Sequence, residues 1–82
     1  MKTARLIRQY TVENLNGDTV YRDVYELNPP YNGNKAVEVS FVDDLEPTTT
    51  VFGVGSGRFT DYLEGDHRNT IIAKLGYTIV TE

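Results

Sequence analysis

The chain reads as a small single α+β domain over residues 1–82, with a mostly antiparallel sheet of four to five strands and one or two short C-terminal helices. Three observations point there: an Asn-Gly pair between two alternating segments, two further strand-like runs within 36–54, and a helical apolar face that ends at Gly76.

The first hairpin turns at Asn16-Gly17. Asn-Gly supplies the two positive φ angles of a type I′ turn, so Leu15 is expected to pair with Asp18. Carried along both strands, this register sets Val12 opposite Tyr21, Tyr10 opposite Asp23, Arg8 opposite Tyr25 and Leu6 opposite Leu27. Opposed residues and residues two apart share a face, which makes these eight side chains one aromatic and apolar surface. A loop is expected over 28–34, Asn-Pro-Pro-Tyr-Asn-Gly-Asn, because two prolines cannot donate to a ladder and a second Asn-Gly turns the chain. Tyr31 is expected to close over the end of the hairpin.

Val37, Val39 and Phe41 alternate with Glu38 and Ser40, which predicts a half-buried strand over 36–42. Asp43-Asp44-Leu45-Glu46-Pro47 turns the chain, and the run 48–54, rich in β-branched residues, predicts its hairpin partner. Beyond the glycine run, Phe59, Tyr62 and Leu63 fall at helical spacing, and Gly65 can end a short helical turn in the left-handed conformation. A clearer helix follows, with Asp66 or Asn69 as N-cap, Ile71, Ile72 and Leu75 on one face, and Gly76 just past its end. Residues 77–80 read as a last strand. The helical part is expected to cover the sheet.

Composition narrows the chemistry. Absence of cysteine excludes a disulfide framework, a thiolate zinc site and a cysteine nucleophile, so a chain of 82 residues has to be stabilised by packing or by self-association. No apolar stretch exceeds five residues, which leaves no candidate for a signal-peptide core or membrane helix and makes a cytoplasmic location the expectation. The net charge of −4 argues against general nucleic-acid binding. Its placement is uneven: residues 1–34 balance, whereas 35–82 carry eight acids against four bases, which reads first as a solvated surface that keeps the chain soluble and second as a patch for a basic partner.

Two constellations carry the functional reading. In GVGSGR, Gly53, Gly55 and Gly57 permit close backbone approach to an anion, Ser56 offers a hydroxyl and Arg58 a charge, between a strand and the expected helix. The spacing matches neither the P-loop nor GxGxxG, and a bulged strand exit explains the same glycines. On the hairpin, Arg8, Tyr10, Tyr21 and Tyr25 have the composition of an interface hot spot, although the same face could be the core that the helix covers. The acidic cluster Asp43, Asp44 and Glu46 lacks the EF-hand pattern and reads as a polar turn. His67, the only histidine, adjoins Asp66, too close in sequence for the acid to orient it in a triad with Ser56 or Ser40.

The expected function is therefore a small non-enzymatic protein-binding protein of inhibitor or adaptor type. It would self-associate, use no cofactor or metal, and act through a sheet face or the acidic second half. Its size, charge and lack of catalytic groups would suit a bacteriophage host-takeover protein. The competing expectation is a phosphate- or nucleotide-binding domain that uses Gly53–Arg58.

Overall fold

The computed structural model describes residues 1–43 and 45–80. Its elements are β1 (Thr3–Glu13), β2 (Thr19–Tyr31), β3 (Asn34–Val42), β4 (Thr48–Gly53), β5 (Phe59–Glu64), α1 (Ile71–Lys74) and β6 (Thr78–Ile79). They form one six-stranded sheet in the order β5-β4-β3-β2-β1-β6. All neighbours are antiparallel except β1 and β6, which run parallel. The fold of the described residues is thus a mixed sheet with one four-residue helix, and the expected α+β class with C-terminal helices is wrong.

Residues 59–64 account for much of that correction. They pair with β4 as a strand, with a bulge that leaves Thr60 unpaired between Asp61 and Phe59. In a regular strand residues three apart point to opposite faces, but the extra residue of a bulge returns Phe59 and Tyr62 to the same face. Helical spacing and bulged-strand spacing coincide here.

The first hairpin also differs. Val12 pairs with Val20 and Thr11 with Tyr21, one residue out of the expected register. Asn14 explains the slip: its N–H donates to Asp18 O at 3.0 Å, Gly17 N–H donates to Asn14 O at 3.1 Å, and its carboxamide accepts from the Asn16 and Asp18 amides at 2.9 Å each. Only Gly17 has positive φ, +85°, as in a three-residue loop with a G1 bulge. The two-residue type I′ turn lies at Asn32-Gly33, where both residues have positive φ and Tyr31 pairs with Asn34. Consequently the expected 28–34 loop is mostly strand. Pro29 and Pro30 sit in the gap between the Glu26 and Tyr31 pairings, where the ladder demands no donor.

The core lies on one face of the sheet. Ala4, Tyr25, Leu27, Val37, Val39 and Val51 pack there beneath Ile71, Ile72, Leu75 and Tyr77. A four-residue helix has no independent stability in water, so α1 exists because it buries Ile71 and Ile72 completely, about 1.5–3 kcal/mol for each side chain. Its N-cap is Thr70 rather than Asp66 or Asn69. Tyr31 packs edge-on against Tyr77 at the border of this core. Among the described residues no helix is long and apolar enough to cross a membrane.

Thr49 steers the chain from β5 to α1. Fully buried, its hydroxyl donates to Gly65 O at 2.8 Å and accepts the His67 N–H at 2.9 Å. Thr49→Val keeps the shape and removes both bonds, which should lower unfolding free energy by about 1–3 kcal/mol in urea titration.

Candidate interaction surface

The observed register distributes the hairpin candidates over both faces. Tyr21 and Tyr25 share the core face with Asp23, Val39 and Phe41, whereas Arg8 and Tyr10 lie across the sheet beside Val24 and Arg22. Tyr25 is core: burial, reinforced by the Asp23 carboxylate, raises its phenol above the usual tyrosine value. Tyr21 stacks on Phe41, and the Arg68 guanidinium lies 4.6 Å and 4.5 Å from the two ring centres. Arg68 is held there by a fork to both Asp66 oxygens, a bond that raises its own pKa and lowers that of Asp66.

On the opposite, open face, polar groups are largely spent on each other. Glu38 accepts the Tyr10 hydroxyl at 3.2 Å and pairs with Arg22 at 3.2 Å, while Arg8 stacks on Tyr10 at 4.3 Å. Arg22 Nε is enclosed with no hydrogen-bond partner. Beside this network, toward the β5 edge, lies an apolar group that the sequence reading missed: Phe52, Phe59 and Tyr62, which are 36%, 55% and 51% exposed. Phe52 meets Phe59 edge-on at 5.9 Å, and Phe59 lies 6.0 Å from Tyr62. The Thr60 bulge creates this contiguity. Before the structure, the only cue was Phe52 alternating with buried Val51 and Gly53.

The glycine run forms the β4–β5 turn, and a strand rather than a helix follows it. Gly53 N–H donates to Arg58 O, Val54 N–H to Ala36 O, Gly57 N–H to Gly53 O and Arg58 N–H to Ser56 Oγ, so most of its donors are committed within the fold. Ser56 donates to the Asn34 carboxamide at 2.9 Å. Gly53 and Asn34 are buried against each other, and a Cβ on Gly53 would overlap the Asn34 carboxamide and the Ser56 hydroxyl. Gly53, Gly55 and Gly57 do line a groove of about 350 Å³ with Arg22, Glu38, Ser40 and Phe52. Arg58 is exposed beside it.

Asp44 of the acidic cluster lies outside the described residues, and among those described no three His, Asp or Glu side chains converge as metal ligands. His67 bonds Glu64 O through Nε2 at 2.9 Å; Ser56 precedes β5 and His67 follows it, about 20 Å apart along a six-residue strand. No triad forms between them.

No family model, curated protein or solved structure matches this chain.

Two outcomes follow from this geometry. Gly53→Ala should cost about 1–3 kcal/mol in chemical denaturation, because buried backbone and the Asn34 carboxamide have to move apart. Asp61 and Asp66 are both lowered, Asp61 by the Lys74 ammonium and then the Tyr62 amide, Asp66 by Arg68. Their stabilisation is therefore full above the ordinary carboxylate pKa of about 3.9 and disappears as pH falls through the lower native values. Urea midpoints should be flat at mildly acidic pH and fall below about pH 4; Asp61→Asn with Asp66→Asn should flatten that fall.

Proposed function

We propose that this chain is a non-enzymatic binding protein of inhibitor or adaptor type, and that it holds a protein partner on the open sheet face at Phe52, Phe59 and Tyr62. The observation that carries the reading is the contiguity of three exposed aromatic rings on the face away from the core. Isolated exposed apolar residues are ordinary, but touching aromatic rings beside a satisfied polar network resemble the centre and rim of an interface. The rings stand on paired strands, so little conformational entropy is lost when they are covered. Neighbouring charges Arg22 and Glu38 neutralise each other, which favours contact by shape and apolar area over steering by charge.

Phe59→Ala combined with Tyr62→Ala removes the anchors without touching the core. A photo-crosslinking residue at Phe52 should capture one protein reproducibly, and the double variant should lose that product with melting temperature unchanged. Affinity for the captured protein should fall by about a hundredfold, two hot-spot truncations of more than 1 kcal/mol each, by calorimetry. Full affinity in the double variant would remove the reading.

A further inference from the structure

The two edges of the sheet are treated differently. At β5, Gly65 N–H bonds Pro47 O, a phase that directs the Tyr62 N–H and C=O away from the sheet. Both groups are covered: Asp61 Oδ1 accepts the Tyr62 N–H at 2.8 Å, and Lys74 Nζ lies 3.5 Å from Tyr62 O while bonding Asp61 at 3.0 Å. Side chains that occupy outward backbone groups blunt an edge against sheet extension.

Among the described residues no such cover lies on β1. β6 occupies only Thr3 and Ala4, and a bulge at Ile7 interrupts the strand. From Arg8 to Glu13 the edge is open. Asn14 N–H bonds Asp18 O, so residues 8, 10 and 12 face β2 and Gln9, Thr11 and Glu13 direct N–H and C=O outward. The same margin exposes apolar side chains: Leu6 at 42%, Ile7 at 50% and Val80 at 37%, with Leu15 fully exposed at the hairpin tip.

We infer that β1 is a self-association edge that pairs antiparallel with β1 of a second copy about a two-fold axis at Thr11. The occupant follows from self-complementarity. In that register Thr11 meets Thr11 and Gln9 meets Glu13, all outward-directed, giving on the order of six ladder bonds. Tyr10 meets Val12 on the open face, a favourable aromatic to β-branched pair. The Arg8 end of one strand approaches the Glu13 end of the other, whereas a parallel arrangement would oppose like charges. Leu15 of each copy reaches the level of Ile7 of the other, so each exposed leucine falls beside the apolar margin of its neighbour. A contact in which one patch serves both subunits closes at two copies. Arg8 and Tyr10 then act at an interface, although not with Tyr21 and Tyr25.

This inference stands apart from the aromatic face, which lies at the other end of the sheet. Sedimentation velocity from about 1 µM to about 1 mM spans the affinities of modest interfaces. The full chain should show a reversible monomer–dimer equilibrium in that range. Leu15→Asp, which alters no folded contact, and Thr11→Pro, which removes an outward N–H, should each weaken dimerisation by about tenfold or more, with circular dichroism unchanged. Leu45→Asp, at an equally exposed leucine in another loop, should leave the dimer intact. A strict monomer at the highest concentration, a dimer indifferent to Leu15→Asp, or equal loss in Leu45→Asp would overturn the assignment. Should Thr11→Pro fail to fold, the Leu15 and Leu45 pair decides alone.

Discussion

A helix of four residues has to seal one face of a six-stranded sheet, and it does so by placing two isoleucines where no water reaches them. That constraint propagates outward. The strands curl so that Val37, Val39 and Val51 converge beneath Ile71 and Ile72. Thr49 has to hold the approach to the helix from inside the sheet. Among the described residues the helix lies on one side, so the other face has no such cover: Val20 and Val24 are buried within it, its polar groups bond one another and its aromatic rings stay exposed.

The open face holds both a polar network and a group of exposed rings. Polar groups near its middle are locked into the Tyr10–Glu38–Arg22 network, and its aromatic rings gather where β4 and β5 meet. The glycine turn beside them is a packing device: Gly53 leaves room for Asn34, and Ser56 ties the turn to that carboxamide. Gly53 is required by the close packing of Asn34 and Ser56 against it, whereas Gly55 and Gly57 stand in open space and supply the positive φ of the turn.

Strand periodicity in the middle of the chain was legible. Val37, Val39 and Phe41 alternate, and 48–51 are all β-branched, so β3 and β4 lie close to their expected limits. So was the buried face of α1. Features that depend on one residue more or less were not. Asn14 captures two amides and lengthens the first turn by one residue, which exchanges the faces of one strand relative to its neighbour. Thr60 inserts a bulge and gives a strand the spacing of a helix. Bulges leave no periodic mark in a single sequence, and both the hairpin face and the aromatic group turned on one. The prolines of β2 misled for a related reason, since a strand tolerates them wherever its ladder is already interrupted.

Consider finally the parallel pairing of Thr3 with Thr78. It joins the first strand to the last, and the isoleucines that complete the core lie just before it. Until α1 and β6 take their places, β1 to β5 carry an unsealed valine face. Non-local closure of this kind is slow compared with hairpin formation. Until that sealing, the valine face and the strand edges beside it are the parts of the fold most open to adventitious contact, so the last contacts to form are the ones that protect the first.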